Sequence, residues 1–438
     1  MSTNLHSWGR FPYTPQVGHS RYWRSELPAL LHDVAAKHGS TLPFGNGRSY
    51  GDSCLAASGN VIHTSGLSRF IEVDWSSGLI RAESGITLSE ILAVAIPQGW
   101  FLSVTPGTQF VTLGGALAND VHGKNHHVRG TFGKHVRQFG LLRSDLGEVT
   151  CSPTQHPDLF RGTIGGLGLT GIITWAQIQL QPIRSSQINT SVVRFNNLGE
   201  FFSLSRELDH AHEYSVAWID CLAKGAKSGR GVFIVGDHAP YGALEVDSRS
   251  KLTVPFAPPI SLINKISLHP FNELYWRAHP ARRTIGRSGY DPFFYPLDRL
   301  LHWNRIYGRR GFQQYQCVIP EAAAEQATGA LLRAIAESGE GSFLAVLKRC
   351  GDIPSPGLLS FPLPGASLAL DFPQNRNLER SLFPRLDSIV REAAGRLYPA
   401  KDAHMTAADL RSGYPEWELL DALRDPLLIS SFWKRVTA

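Results

Sequence analysis

The sequence predicts an α+β protein with two domains, and three observations lead to that fold class. First, 438 residues exceed what one hydrophobic core usually organises. Second, the first part of the chain has short strand-like runs separated by turn residues, and its segments 45–52, 106–136 and 163–173 are rich in small residues, which suggests one extended ligand bound through backbone. Third, the pattern after Pro182 changes to strands followed by helices, which favours an antiparallel sheet with helices on one face.

The first part of the chain alternates short strands with two helices. Ser25 is placed to cap the first helix, whose leucine stripe ends at Gly39, and Thr87 with Glu90 forms a capping box for the second. Residues 172–181 alternate apolar side chains with glutamines, as a half-exposed strand does. The expected helices are 25–38 and 87–96, and the expected strands are 42–44, 61–64, 70–75, 79–83 and 172–181.

The second part predicts a separate domain at 185–395, and the first domain is expected to comprise 1–184, completed by 396–438. A long excursion at 238–300 interrupts the second domain. It contains several prolines and the exposed-looking residues Phe256, Ile260 and Leu262. We expect a mobile flap without long regular structure there, because prolines interrupt helices and strands. The expected strands are 192–195, 215–220, 231–235, 313–319, 343–347 and 367–372, and the expected helices are 197–209, 320–337 and 377–394.

The composition and the N-terminal sequence argue against several classes of protein. No apolar run approaches the ~20 residues that a membrane span needs, and the N-terminus lacks a secretory pattern, so a cytoplasmic protein is expected. Five cysteines without close pairs predict free thiols. The net charge of +6 suits an anionic ligand or lipid surface, but the basic residues are dispersed, which argues against a nucleic-acid partner.

The glycine clusters do not form a dinucleotide fingerprint. Gly166, Gly168 and Gly171 match the G-x-G-x-x-G spacing, but a strand follows them, whereas the fingerprint requires a helix. The segment 45–52 reads GNGRSYGD, and it favours a nest of backbone N–H groups that binds an anion, with Ser49 as a further donor. A tight surface turn is the alternative for this segment taken alone.

The motifs GRSYGD, PGT-x-x-VT-x-GGA, HGKNHH, GGxGLTGII, WNR-x-YG, QYQ-x-VIP, SFP-x-PG, DFP and RLY-x-AKD occur in this order from Trp8 nearly to the C-terminus. Together they resemble the vanillyl-alcohol oxidase and p-cresol methylhydroxylase (VAO/PCMH) superfamily. Within it they resemble the decaprenylphosphoryl-β-D-ribose 2′-oxidase family. The resemblance implies a two-lobed fold, with a VAO/PCMH-type FAD-binding domain and a substrate domain.

The resemblance also implies which residues bind FAD. Arg48 stands where covalent relatives carry a histidine, and no cysteine lies in 106–136, so FAD is expected to be non-covalent. The residues expected at the pyrophosphate are Gly47, Arg48, Ser49, Tyr50 and Gly51. Those expected at the flavin are Gly107, Thr108, Gly115, Ala116, Asn119, His122, Gly123 and Asn125, with Ile172 near the adenine.

Lys401 matches the family's active-site lysine, and His122 is a second candidate for the proton acceptor. Four histidines, His122, His126, His127 and His135, also raise the possibility of a metal, but no acidic or cysteine ligands accompany them, so none is expected. The residues expected at the substrate are Trp218, Tyr307, Gln314, Gln316, Lys348, Ser367, Tyr398 and Lys401.

Two departures from the family concern the substrate pocket. Ala369 occupies the place of a cysteine that the family does not use chemically, and Ser367 replaces an amide-bearing residue. Tyr315 lies between Gln314 and Gln316, so on a strand it points to the opposite face and is expected in the core.

The resemblance implies oxidation of C2 of a polyprenyl-phosphate-linked pentose (ribose), as the first half of an epimerisation to arabinose. A short-chain dehydrogenase/reductase would complete the epimerisation, and peripheral membrane contact is expected because the substrate is a lipid. The first alternative is an aldonolactone (arabinono-lactone-type) oxidase. The second is a basic carrier of anionic ligands without enzymatic activity.

Overall fold

A computed structural model describes residues 4–247 and 251–438. Its strands are numbered β1–β20 and its helices α1–α13 in chain order. The first sheet is small and mixed, in the order β1-β2-β4-β3, with β2 and β3 both parallel to β4. Its strands are β1 (Asn4–Leu5), β2 (Gln16–Ser20), β3 (Pro43–Phe44) and β4 (Asn60–His63).

The second sheet is antiparallel and runs in the order β5-β6-β10-β8-β9, with β7 also paired to β10. Its strands are β5 (Phe70–Asp74), β6 (Leu79–Glu83), β7 (Trp100–Leu102), β8 (Val136–Arg143), β9 (Gly147–Cys151) and β10 (Ile172–Pro182). Because β10 follows directly after Gly171, the glycine motif at 166–171 leads into a strand, as predicted. The dinucleotide fingerprint is therefore absent at this place.

The third sheet has eight strands in the order β15-β11-β13-β12-β18-β19-β17-β20. A further pair, β14 (Leu252–Thr253) and β16 (Leu300–Leu301), lies outside it. The strands of the third sheet are β11 (Gln187–Phe195), β12 (Tyr214–Ile219), β13 (Gly231–His238), β15 (Thr284–Gly289), β17 (Phe312–Pro320), β18 (Ala345–Cys350), β19 (Gly365–Pro373) and β20 (Arg396–Leu397). The six strands predicted for this part of the chain all belong to it.

The helices vary in length from one turn to four. Those before the third sheet are α1 (Leu27–His38), α2 (Leu88–Ala95), α3 (Leu113–Ala118), α4 (His126–Arg129) and α5 (Pro157–Thr163). Those within and after it are α6 (Leu198–Leu208), α7 (Lys265–Ala278), α8 (Tyr290–Phe294), α9 (Ala324–Ser338), α10 (Phe383–Glu392), α11 (Ala407–Gly413), α12 (Trp417–Leu423) and α13 (Ser431–Thr437). No helix among the described residues is both long and apolar enough to cross a bilayer.

The third sheet has two different faces. Helices α6, α9 and α10 cover one face, where their apolar side chains form a core with Phe233, Tyr315 and Leu347. The other face presents polar side chains, including Gln314 and Gln316, to a cavity. Tyr315 is in the core as predicted, and its hydroxyl donates to Asp387 Oδ1 over 3.0 Å. This strand alternation places the polar side chains in a layer between the third sheet and the first part of the chain.

The prediction that the excursion 238–300 lacks long regular structure is wrong for the described residues. Helix α7 has 14 residues and contains Pro270, and β15 pairs with β11 along the edge of the third sheet. Asn264 caps α7, and Asn272 donates to buried Asp220 over 2.8 Å. The local cap and the tertiary contact stabilise the helix, although Pro270 has no backbone N–H to donate. Residues 248–250 of the excursion lie outside the described residues.

The C-terminal segment joins the two parts of the chain. Strand β20 pairs with β17 in the third sheet, whereas Leu428 and Ser430 form bridges with Thr41 and Ala56 near the first sheet. The change from the second sheet to the third falls between Pro182 and Gln187. The domain limits 1–184 with 396–438, and 185–395, remain our prediction.

Candidate active site

A cavity of about 640 Å³ lies between the glycine-rich loops and the polar face of the third sheet. All three glycine-rich segments contribute to it, through Gly47, Gly107 and Gly168 among others. The opposite wall consists of side chains from β12, β17, β18 and β19 and of the segment after β20. The fold therefore brings residues from nearly the whole length of the chain into one space.

The first loop holds Arg48 in an enclosed position. Gly47 has a φ of +60°, a conformation that glycine adopts without strain. The Arg48 guanidinium lies 4.1 Å from the ring centre of Trp8 and 5.3 Å from that of Phe110. Burial lowers the Arg48 pKa, and its Nε is buried without a hydrogen-bond partner. An arginine with an unused donor in a cavity is suited to bind an anion such as a phosphate.

The second segment leaves room for a ligand at Gly107. A Cβ added there would meet no atom within 4 Å, although the residue lines the cavity. Thr112 caps α3 by accepting a hydrogen bond from Gly115 N over 3.1 Å, which orders the adjoining backbone. A side chain at position 107 would therefore project into the cavity without displacing protein atoms.

A cluster around His122 joins the two walls. Lys348 Nζ on β18 donates to Gly123 O over 2.6 Å and to His122 Nδ1 over 2.5 Å. The other ring nitrogen, Nε2, lies 3.3 Å from the amide nitrogen of Gln316 on β17. Burial and the charge of Lys348 hold the His122 pKa well below its usual value, and burial lowers the Lys348 pKa to about 8. His122 is therefore neutral near pH 7, and both of its ring nitrogens face protein partners.

The four histidines of the second segment separate in the structure. His126 Nδ1 accepts from Gly351 N, whereas His127 and His135 bind the carbonyl oxygens of His212 and Arg129. Among the residues that the structure describes, no group of three or more His, Cys, Asp or Glu side chains is arranged to hold a metal.

A second cluster surrounds Lys401. Its Nζ lies 3.6 Å from the ring centre of Tyr50, and Tyr50 N donates to Ala400 O over 3.0 Å. Gly51 lies so close to the same segment that a Cβ would come within 1.6 Å of Asp402 O. Burial lowers the Lys401 pKa to about 7, although the carboxyl of Asp371 acts in the opposite direction. Lys401 can therefore exchange a proton near neutral pH.

Most predicted site residues line this cavity. From the cofactor set these are Gly47, Arg48, Ser49, Tyr50, Gly107, Thr108, Gly115, Asn119, His122 and Gly123. From the substrate set they are Trp218, Gln314, Gln316, Lys348, Ser367, Tyr398 and Lys401. Ala369 lines the cavity as well.

The cavity lining does not include Gly51, Ala116, Asn125, Ile172 or Tyr307. Gly51 faces the backbone of Asp402, and Ala116 and Ile172 are buried in apolar cores. Asn125 donates to Ser103 O over 2.9 Å, and Tyr307 stacks on Phe312 with ring centres 4.3 Å apart. The structure places these five residues behind the cavity wall.

Sequence reasoning missed Lys124, Tyr275 and Asp298 as lining residues. Lys124 lies within the HGKNHH motif, so a signal was present, and burial lowers its pKa to about 7. Asp298 accepts from Gln109 N over 2.8 Å, and burial raises its pKa to about 6. Tyr275 on α7 packs against Trp218, with ring centres 4.6 Å apart. Asp298 and Tyr275 lie in the excursion, where no motif had marked them.

The residues present fit FAD. The unpaired Nε of Arg48 matches a pyrophosphate, and the open space beside Gly107 accommodates a flat ring system. Residues 24–152 match the family of the FAD binding domain. Fold, cavity and match together define an FAD-dependent oxidoreductase of the VAO/PCMH superfamily.

Two similar proteins align with most of the chain. It is 37% identical over 400 residues to the decaprenylphosphoryl-beta-D-ribose oxidase of Mycolicibacterium smegmatis, covering 87% of this chain and 85% of that protein. It is 35% identical over 357 residues to an uncharacterized protein in the mprA 5′ region of Streptomyces coelicolor, covering 78% and 94%. A Delta(24)-sterol reductase of Homo sapiens is 27% identical over 118 residues, covering 27% and 23%. The chain therefore belongs to the decaprenylphosphoryl-β-D-ribose oxidase family.

Proposed function

We propose that the protein oxidises the C2 hydroxyl of a polyprenyl-phosphate-linked pentose, ribose, to a ketone. The observation that carries this proposal is the charge of the cavity. Among the described lining residues, Arg48, Lys124, Lys348 and Lys401 are basic, whereas only Asp298 is acidic. Arg48 is assigned to the FAD pyrophosphate and Lys401 to proton transfer, so Lys124 and Lys348 remain. Lys348 has a pKa of about 8 and is mostly charged near pH 7, which favours a substrate that carries a phosphate of its own. An aldonolactone, the alternative substrate, carries no such charge.

When bound, FAD would supply the hydride acceptor for oxidation at C2 of the sugar. The protein must then accept the hydroxyl proton, and Lys401 is better suited than His122. The pKa of Lys401 is about 7, so a neutral amine is available near neutral pH. His122 is a weaker base with a strongly lowered pKa, and Lys348 and Gln316 already face its two ring nitrogens. We assign proton acceptance to Lys401, and to His122 the positioning of Lys348 beside the sugar.

Gln314 and Gln316 supply amide groups that can bind sugar hydroxyls from β17. Ser367 Oγ lies 3.5 Å from the Gln316 amide nitrogen, so a serine there leaves more space than a longer amide side chain would. Trp218 and Tyr398 add flat surfaces that can pack against a sugar ring. These residues form the proposed sugar-binding part of the cavity.

The test of the proposed function is anaerobic reduction of the purified holoenzyme. A polyprenyl-phosphoryl ribose should bleach the flavin absorbance, whereas arabinono-1,4-lactone at equal concentration should leave it unchanged. Bleaching by the lactone alone would establish the alternative oxidase. Bleaching by neither compound would contradict both substrate assignments and support the carrier.

FAD is proposed to be held without a covalent bond. Arg48 cannot form the histidine–flavin bond of covalent relatives, and Cys54 is the one cysteine among the described lining residues. Burial raises the Cys54 pKa to about 12, which makes it a poor nucleophile. Acid precipitation should therefore release yellow flavin into the supernatant. Flavin that stays with the precipitated protein would contradict this proposal.

We propose that the described part of the excursion contacts the lipid tail of the substrate. Ile260, Ile266 and Leu274 are 76%, 87% and 68% exposed, although they are large and apolar. Tyr275 lies on the same helix as Ile266 and Leu274 but lines the cavity, so α7 connects the cavity wall to this apolar surface. Arg277 on α7 is paired with Glu273 on the same helix, so the apolar side chains and not a free cation carry the proposed lipid contact. A lipid tail leaving the cavity along α7 would therefore reach a membrane-compatible surface.

The triple variant Ile260→Ser, Ile266→Ser and Leu274→Ser tests the lipid contact. It should lose much more kcat/KM with a long-chain lipid-linked sugar than with a short-chain analogue, and it should bind less to anionic vesicles. Ile285→Ser is the matched control, because Ile285 is 81% exposed but lies on β15. Equal losses with both substrates would mean that the surface supports the fold and does not recognise the lipid.

A ketone product needs a second enzyme if the net result is epimerisation. We propose a short-chain dehydrogenase/reductase as the partner that reduces the ketone from the opposite face. Mixing the two enzymes with the ribose lipid and a reduced nicotinamide should yield the arabinose lipid. The ribose lipid alone with the reductase should not react.

A further inference from the structure

We propose that Asp371 is a positioning residue for Lys401, and that its buried carboxyl stabilises the ammonium formed when Lys401 accepts the hydroxyl proton. This inference rests on the proposed function, since it concerns the same proton transfer. Asp371 does not line the cavity. It lies directly behind the cavity wall and has no exposed surface.

Only one of the two carboxyl oxygens of Asp371 has a hydrogen-bond partner. Asp371 on β19 is opposite Gln314 on β17, and Gln314 Nε2 donates to Asp371 Oδ1 over 2.5 Å. The other oxygen, Oδ2, is buried and has no hydrogen-bond partner. Asp371 N donates to Ser342 Oγ over 3.1 Å, which fixes the backbone. An ionised carboxylate with one oxygen unpaired is costly to bury, so this oxygen favours a cation or a proton nearby.

The groups that face this carboxyl come from three other segments. Lys401 follows β20, Tyr50 lies in the first loop, and Tyr307 precedes β17, and the charge of Asp371 raises the pKa of all three. Lys401 also faces His122, which burial keeps neutral near pH 7. Lys401 is therefore the cation available to Asp371 in this group.

Asp371 and Lys401 titrate in the same pH range. Burial raises the Asp371 pKa to about 7 and lowers the Lys401 pKa to about 7, so the pair exchanges protons in the same pH range. In the oxidation the hydroxyl O–H bond breaks and an N–H bond forms on Lys401, while the electron pair of the C2–H bond leaves with the hydride to FAD. Among the described residues no direct ion pair joins Lys401 and Asp371, so the ionised carboxylate stabilises the ammonium through its electric field.

Asp371→Asn tests the proposal through the pH dependence of flavin reduction. Neutral Lys401 is the reactive form, so the wild-type rate should rise with pH through about 7. The negative charge of Asp371 raises the Lys401 pKa, so its removal lowers that pKa. The rise should move to lower pH by about one unit or more, and the maximal rate should fall about tenfold. FAD content should stay unchanged.

Competitive labelling of Lys401 with acetic anhydride measures its pKa without substrate. The pKa from the labelling profile should be lower in the Asp371→Asn holoenzyme than in the wild type. This measurement separates the two proposals, because it reports on the pair even if the ribose lipid does not reduce the flavin. An unchanged labelling profile would overturn the role of Asp371 and leave the proposed function standing.

Asp387→Asn is the matched control. Asp387 is also buried, but it accepts from Tyr315 on the helix-covered face and does not line the cavity. This variant should keep the wild-type pH profile. If Asp371→Asn does not fold, Gln314→Met removes the donor to Oδ1 and favours protonated Asp371, so the Lys401 pKa should again fall. A wild-type Lys401 pKa in Gln314→Met would overturn the proposal as well.

Discussion

The two walls of the cavity are built in different ways. The wall that comes from the first part of the chain consists largely of backbone and small residues, such as Gly47, Gly107 and Gly115. The opposite wall consists of long polar side chains, such as Gln316, Lys348 and Lys401. Backbone can lie close to a large ligand and bind it in a fixed position, whereas side chains with shifted pKa values can move protons.

From this difference we expect that cofactor binding and chemistry can be separated by mutation. A change in the first wall should act on FAD affinity, and a change in the second should act on rate. Arg435 on α13 connects the loops of both walls, because it binds Asp52 beside Gly51 and Asp402 beside Lys401. The predictions below test whether the walls act separately and how much they depend on this connection.

The largest effect is expected for Lys401→Ala. Flavin reduction by substrate should fall about 1,000-fold, because the variant lacks the proposed proton acceptor. FAD should remain bound, since the cofactor depends on the other wall. Stopped-flow absorbance checks the rate, and the flavin-to-protein absorbance ratio checks binding. Lys434→Ala on α13 is the control, and reduction of Lys401→Ala at the wild-type rate would exclude Lys401 from the mechanism.

Arg435→Met should weaken the connection between the walls. Arg435 Nη2 lies 2.8 Å from Asp52 Oδ1 and 2.9 Å from Asp402 Oδ2, and both carboxylates are buried. Loss of the guanidinium leaves these two buried carboxylates without their cation, which should lower the free energy of unfolding by about 3 kcal/mol. Denaturant unfolding measures this change. Arg385→Met, whose partner Glu337 and own side chain are 58% and 54% exposed, should cost less than about 1 kcal/mol.

Gly107→Val should act on the cofactor. The new side chain would occupy open cavity space, so FAD affinity should fall about 10- to 100-fold while the apoprotein keeps its stability. Titration of apoprotein with FAD, followed by fluorescence, gives the Kd. Gly199→Val is the control in the first turn of α6, where a Cβ meets only side-chain oxygens at 3.4 and 3.5 Å. Wild-type affinity in Gly107→Val would mean that FAD does not lie beside Gly107.

The smallest effect on turnover is expected for Ala369→Cys. The new thiol would line the cavity between Gln316 and Val346, its neighbours across the sheet. A small thiol reagent should add one adduct to the variant and none to the wild type. Cys151, Cys221, Cys317 and Cys350 are buried, and burial raises the pKa of the cavity-lining Cys54 to about 12, which makes it unreactive. Mass spectrometry detects the adduct. Intact turnover without an adduct would contradict the placement of position 369 in the cavity.

Much of the site was accessible from the sequence because its signals are local. Glycine segments, the capping box at Thr87 and the alternation around Tyr315 each depend on residues within a few positions of one another. The family motifs added Lys401 and Gln316, which no local pattern would have selected. Helix α7 was missed for a different reason: the prolines of the excursion were taken to exclude long regular structure throughout it. The helix nevertheless forms around Pro270, with contacts such as that of Asn272 with Asp220.

The resemblance of the RLY-x-AKD motif to the family selected Lys401. By itself, the sequence also determined the fold class, the strand order along the chain and the three glycine-rich segments. These features follow from backbone conformation and periodicity, which neighbouring residues control. Only the tertiary structure decided that Lys401 lies over Tyr50, and that Asp371 lies behind both with one oxygen unpaired. Tyr50 is more than 300 positions from both Asp371 and Lys401 in the sequence. Their pKa values depend on burial and on neighbouring charges, which exist only after the two parts of the chain have packed together.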